Sequence, residues 1–385
     1  MAATGESAVL APSSTHRQVF IPLRPTRIHR IGALALVIGT IAALAVLGSA
    51  GPAAAHGLVV GADDDRTAVR QLQRAVVAPD GVSFSGTRMV SAWEPDHAVT
   101  VMLGVHHVFG QGTTVRVRSG GDARSVVTFI RDQDGTSCCL QGLQSGALSL
   151  LVDNFSVTTA GSGRVAGRPA QIVALGRGAA AAARLWVDRR TGLLLRSEIY
   201  GTDGRLARTS VYIDLRVERH AFLEHLPPML AAPGAVAMST DAIPRLEASG
   251  FRCPRELPEG FRLMDLDRTR DDLGTLHATY TDGLSTVSVF EQRGSLDTGS
   301  LAGFERHAVG GRDVYVRYGL PTYVSWAGQG TVFTVVTDAP ADTVAQIISV
   351  YPLGQSDSHD GFWARLWRGL CRLVANASPW ALRSG

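Results

Sequence analysis

At 385 residues the chain is too long for one typical domain, so two folded units plus appendages is the expectation. Hydrophobic residues make up 45% of it, which excludes bulk disorder, and a formal charge of +3 is too small to argue for nucleic acid. There is no lysine, and the 42 glycines, many in Asp-Gly or Gly-Gly pairs, suit tight turns between strands.

Residues 1–30 contain Pro12, Pro22 and Pro25 and read as a disordered cytoplasmic arm or n-region. Ile31 to Leu47 is an uncharged apolar run, preceded by Arg24, Arg27 and Arg30 and followed by an Ala-x-Ala pattern at Ala53 to Ala55. Residues 31–56 therefore fit a secretory signal cleaved near Ala55, or an uncleaved single span. A buried core helix is the third reading, and the asymmetric flanks disfavour it. Arginines stay on the cytoplasmic side, so both targeting readings put the N-terminus inside and everything from Gly57 outside. The expected location is extracytoplasmic, secreted across or anchored in a bacterial cytoplasmic membrane.

The first folded unit spans residues 57–222. Asp63 to Ala78 predicts a helix: three aspartates suit its positive end, and Ala68, Val69, Leu72, Ala75 and Val76 share one face. Pro79-Asp80-Gly81 stops it. Strands follow at 82–93, 97–108, 113–118, 125–131, 168–175, 182–188, 193–200 and 208–217, with polar turn signals between them. One helix against a large curved antiparallel sheet buries one apolar face of each.

Residues 223–238 are Pro-rich and read as a linker. A smaller unit, 239–353, opens with a helix at Thr240 to Ala248 and continues with strands at 276–280, 285–292, 305–309, 313–318, 321–327 and 330–336. Pro340 to Val350 then reads as a helix, with Asp338 or Ala339 at its start. In the tail, 354–385, Phe362, Trp363, Leu366, Trp367, Leu370 and Leu373 form an apolar stripe beside Arg365, Arg368 and Arg372. Such an amphipathic helix suits a membrane surface or a partner groove, or docks on its own domain.

Several of these segments carry a resemblance. Leu185 to Val217 resembles the MucB/RseB family of envelope regulators of sigma factors: an Asp-Arg-x-Thr-Gly-Leu hairpin, then Gly-x-Asp-Gly, then a hydrophobic strand. Phe84-Ser85-Gly86 after the first helix, Val165-Ala166-Gly167-Arg168, LPEGF at Leu257 to Phe261 and YTDGLSTVSVF at Tyr280 to Phe290 look similar as well. The resemblance covers roughly Asp63 to Tyr351. It implies an α+β fold: a curved antiparallel half-barrel of the LolA/LolB type with a helix in its concavity, plus a smaller α+β C-terminal domain. It also implies a non-enzymatic regulator without a cofactor. Such a protein binds the extracytoplasmic part of a single-span anti-sigma factor, shields it from regulated proteolysis and senses a lipid-like ligand.

On that reading Phe84, Met89, Trp93, Val101, Leu103 and Phe109 line an apolar ligand cleft; the plainer alternative is that they are core. Tyr315, Tyr318, Tyr323 and Trp326 are the expected partner anchors, although alternate residues of a strand must face the core. An envelope lipid or lipoprotein carrier has the same fold and cleft and is the competing function. Catalytic patterns are missing: there is no nucleophile elbow in a strand-turn-helix context and no phosphate-binding glycine loop. His106 and His107, adjacent in a strand, point to opposite faces and do not share a metal. Among Cys138, Cys139, Cys253 and Cys371, a disulfide of Cys138 or Cys139 with Cys253 would staple the two units. A vicinal Cys138–Cys139 bridge and buried free thiols are the alternatives.

Overall fold

The computed structural model describes residues 62–94, 96–118, 127–130, 143, 145–218, 235–269 and 275–353. The expected signal or anchor segment, Cys138, Cys139, Cys371, most of the expected linker 223–238 and the tail expected to be amphipathic lie outside the described residues. No described helix is long and apolar enough to cross a membrane.

Helix α1 (Ala62–Val77) forms where the periodicity predicts it. Ala68, Leu72 and Ala75 are buried on one face, Arg66, Arg70 and Arg74 are exposed, and burying Leu72 alone contributes roughly 2 kcal/mol. A 3₁₀ turn, Ala78–Gly81, ends the helix at Pro79. The chain then lays down β1 (Ser83–Glu94), β2 (His97–Val108), β3 (Gly112–Arg118) and β4 (Val127–Ile130). A short helix, α2 (Leu148–Asn154), leads to β5 (Ser156–Val165), β6 (Arg168–Arg177), β7 (Ala180–Asp188), β8 (Leu194–Tyr200) and β9 (Leu206–Glu218). All nine strands make one antiparallel sheet in the order β4-β3-β2-β1-β9-β8-β7-β6-β5.

Two hairpin meanders are thus joined where β9 returns beside β1. Register shifts occur at Thr87/Arg88, Thr159/Ser162, Leu175/Gly176, Trp186/Val187 and Ile199/Tyr200. Each added residue increases local twist, and together they curve the open sheet. Beside the first shift β1 and β9 come so close that a Cβ on Gly86 would lie 2.3 Å from the Asp214 carbonyl oxygen, which accounts for the Phe-x-Gly pattern. Helices α1 and α2 pack on β5 to β7, in a cluster of Ala68, Leu72, Leu151, Phe155, Val173 and Leu185.

The second sheet contains β10 (Ala235–Ala237), β11 (Glu256–Leu257), β12 (Phe261–Thr269), β13 (Leu276–Thr281), β14 (Thr286–Arg293), β15 (Glu305–Val309), β16 (Arg312–Arg317), β17 (Thr322–Gly328) and β18 (Thr331–Thr337). Their order is β10-β12-β13-β14-β18-β17-β16-β15, with β11 on β12. Helices α3 (Ile243–Ala248) and α4 (Ala341–Val350) supply Ile243, Leu246, Val344 and Ile347 to its core, against Phe261, Tyr280, Trp326 and Phe333. The architecture is α+β.

Some expectations need correction. Helix α2 and strands β5, β10, β11 and β12 are additional to the expected elements, β10 lying within the stretch expected as a linker: α2 is two turns long, and β5 is an edge strand with Gly161 and Gly163 and no clean alternation. The expected helix from Thr240 is α-helical only from Ile243; Thr240–Ala242 is a 3₁₀ turn in which Ser239 accepts from the Asp241 N–H. Neither Asp338 nor Ala339 caps α4. Pro340 occupies the N-cap position without a side-chain cap bond, and the Asp338 carboxylate instead accepts from the Thr286 N–H at 2.7 Å.

Candidate functional site at the junction of the two sheets

The inner face of the first sheet follows from the pairings. Val173, Leu185, Ser197, Ser210, Val90 and Val101 stand opposite one another across six strands, with Arg88 and Arg208 in neighbouring rows. The flanks of this face are apolar and its centre is polar. Arg88 is buried, lies over the Tyr212 ring at 5.3 Å and bonds to Ser210; burial lowers its pKa.

The second sheet covers this face with the β13–β14 hairpin. Its tip is tightly built: Asp282 Oδ1 accepts from the N–H groups of Leu284 and Ser285 at 2.9 and 2.7 Å, and Thr281 Oγ1 accepts from the Gly283 N–H at 3.0 Å. Leu284 packs against the α1–α2 cluster of the first sheet. Only about 60 Å³ of space remains beneath the tip, bounded by Arg88, Ser197, Arg208, Ser210, Gly283 and Leu284.

Charged anchors surround this plug. Arg177, at the end of β6, reaches Glu259 Oε2 at 2.8 Å and Asp282 Oδ2 at 2.7 Å, and its guanidinium lies 4.5 Å over the Phe155 ring. Glu259 holds a left-handed backbone (φ 62°), and Asn154 donates to the carbonyls of both Gly260 and Asp282 at 3.0 Å. Burial raises the Asp282 pKa despite its N–H donors and Arg177. Arg208 meets Asp338 at 3.0 Å, and Asp342 accepts from the Thr202 N–H at 2.7 Å. His97 pairs with Glu305 at 2.8 Å and stacks on Tyr318 at 4.4 Å. Glu94 lies nearby, its pKa pushed up to about 7 by burial and by Asp342. An open groove of about 270 Å³ runs along the junction, walled by Phe155, Arg177, Tyr200, Phe261, Leu284 and Pro340.

The six expected cleft residues divide. Phe84, Val101 and Leu103 lie on the inner face in one cluster. Met89 stands opposite Met102 and Trp93 opposite Ala98 on the outer face, Trp93 being 40% exposed; Phe109 follows β2 in a turn, 49% exposed. No single cleft therefore holds all six. Of the four expected anchors, Tyr323 and Trp326 are buried, the latter donating its indole N–H to the Pro352 carbonyl at 3.0 Å. They are core, as alternation along a doubly covered strand requires. Tyr315 and Tyr318 are half-buried.

His107 is buried against Phe84; its Nε2 faces the Pro79 carbonyl and its Nδ1 the Thr113 hydroxyl, both at 2.8 Å. A carbonyl oxygen only accepts, so Nε2 donates to Pro79. Among the described residues no three His, Cys, Asp or Glu side chains cluster as metal ligands. Cys253 is a free thiol in the second core, its pKa pushed up to about 12 by burial and then by the Glu291 charge. Alkylation of the native protein, read by peptide mass, is expected to leave Cys253 unmodified until the chain is unfolded; rapid native labelling would contradict its burial.

Sequence reasoning missed the junction residues themselves, although their motifs were in view. LPEGF supplies Glu259 and YTDGL supplies Asp282, and the two carboxylates converge on Arg177. The Asp-Arg-x-Thr-Gly-Leu pattern also has a physical basis. Asp188, fully buried, takes Arg168 at 2.5 Å and the Thr191 N–H at 3.1 Å, and a Cβ on Gly192 would lie 2.9 Å from the Arg74 carbonyl oxygen.

Residues 88–230 match the family model of the MucB/RseB N-terminal domain. Three solved structures are similar over most of the chain. MucB in complex with MucA(peri) is 23% identical, covering 75% of this chain and 100% of that one, with a TM-score of 0.46. The MucA/MucB complex of Pseudomonas aeruginosa is 21% identical, covering 76% and 100%, with a TM-score of 0.44. MucB by itself is 22% identical, covering 73% and 96%, with a TM-score of 0.43. No curated protein matches the chain.

Proposed function

From the premise that residues 88–230 form a MucB/RseB N-terminal domain, we propose that this chain is a non-enzymatic envelope regulator that binds the extracytoplasmic part of a membrane anti-sigma factor. That domain match is the observation that carries the reading. The solved MucB structures include complexes with MucA, and an extracytoplasmic partner is consistent with the apolar run at Ile31 to Leu47. The bound protein would shield its partner from regulated proteolysis, and a lipid-like ligand would release it. The groove along the sheet junction is the seat for an extended segment of the partner. It offers apolar walls, a cation at Arg177 and carboxylates at Glu259 and Asp282.

The test is a pull-down with the full chain from solubilised membranes, identifying bound proteins and lipids by mass spectrometry. Recovery of a single-span anti-sigma factor is expected, followed by slower cleavage of its extracytoplasmic part when the chain is present. Bound lipid with no such partner would instead identify an envelope lipid or lipoprotein carrier, the competing reading between which and the regulator fold alone does not choose.

A further inference from the structure

We infer that the first sheet carries a second ligand site, an anion-binding recess at the strand ends remote from the junction. The junction uses the ends that bear Glu94, Arg177, Tyr200 and Arg208. At the opposite ends, Arg74 from the last turn of α1, Arg168 from the start of β6 and Arg190 from the β7–β8 turn line a recess of about 340 Å³. Three segments far apart in sequence thus deliver cations to one place. Val77, Ala78, Val82 and Val217 form its apolar wall, and Val77 is 57% exposed.

The charges in this recess are not balanced. Arg74 bonds to neutral oxygens, Gln71 Oε1 and the Arg189 carbonyl, both at 3.2 Å. Arg168 is held by Asp188 through Nη2, while its Nε is buried with no hydrogen-bond partner. Asp188 is already engaged by Thr191. Arg168 is half-buried and Arg74 and Arg190 are exposed, no acidic side chain lines the recess, and an oxyanion placed among the three guanidiniums relieves their mutual repulsion. Guanidinium forks match the oxygens of a phosphate, and the adjoining valines suit a hydrocarbon group. The ligand class is a phosphate-bearing molecule, either a lipid headgroup or a free phosphate. The site shares no residue with the junction, so it stands or falls apart from partner binding.

Calorimetric titration of the full chain in a neutral detergent tests this, using inorganic phosphate and monomeric dihexanoyl-phosphatidylglycerol as probes. Saturable binding of at least one probe is expected. It should weaken at least about tenfold in the double variant Arg74→Ala/Arg190→Ala but not in Arg66→Ala/Arg70→Ala, which removes the same charge from the exposed part of α1. Arg190→Glu, in an exposed turn, gives the same readout if the double variant does not fold. Much tighter binding of the phospholipid than of phosphate assigns a headgroup; equal affinities assign free phosphate. No saturable binding, or equal binding by wild type and recess variants, overturns the proposal.

Discussion

Replacing Arg177 by alanine is expected to destabilise the protein by about 3 kcal/mol and to loosen the sheet junction. The side chain of Asp282 is only 5% exposed and that of Glu259 22% exposed, so neither carboxylate gains full hydration when its cation is removed. The variant also loses the contact with the Phe155 ring. Denaturant unfolding measures the first effect, and limited proteolysis at the β13–β14 hairpin the second. The pH dependence has a definite sign. Burial already holds the Asp282 carboxyl above its ordinary value, and removal of Arg177 raises it further. A carboxyl raised in the folded state favours folding when protonated, so its penalty grows as pH rises from the unfolded value through the folded one. The loss in Arg177→Ala should therefore be smaller at pH 5 than at pH 8. A change below about 0.5 kcal/mol at both would show that Arg177 does not hold the junction.

The second large effect is expected from Gly283→Ala. Gly283 has φ +94°, and a Cβ built there lies 2.5 Å from both the backbone nitrogen and the Cβ of Leu151. Leu151 is fully buried in α2, so it has nowhere to retreat. The hairpin tip must lift, drawing Leu284 out of the α1–α2 cluster, at a cost of about 3 kcal/mol or more. Gly204→Ala is the matched comparison: φ is +74° there, yet nothing lies within 4 Å of the added carbon. Its backbone strain alone should cost about 1 kcal/mol. Equal losses in the two variants would show that the close packing against α2 is not what holds the hairpin.

Both variants act on a feature that is only partly legible along the chain. The segments Leu257 to Phe261 and Tyr280 to Phe290 carry part of the family resemblance. Their carboxylates matter because Arg177 lies 105 residues before Asp282 and 82 before Glu259. Alternation along β1 by itself separates Phe84 from Met89 and Trp93, so the split of the expected cleft was legible. The inner face of β9 was not. An extra residue opposite Thr87/Arg88 places Tyr212 inside and Asp214 outside, although both are even-numbered, and leaves Ile213 51% exposed.

Legible along the chain are the α1 face, all strands of the first sheet but β5, six strands of the second, the Asp-Gly turns and the resemblance that the match over residues 88–230 supports. These rest on interactions within a few residues: a periodicity of 3.6 or 2, a proline stop, a glycine at positive φ. Tertiary structure alone decided which residues meet at the junction, that Tyr323 and Trp326 are core, and that three arginines converge on one recess. Those outcomes depend on how bulges curve the first sheet and on what covers each face of the second, and contacts between residues a hundred positions apart leave no periodic trace in the chain.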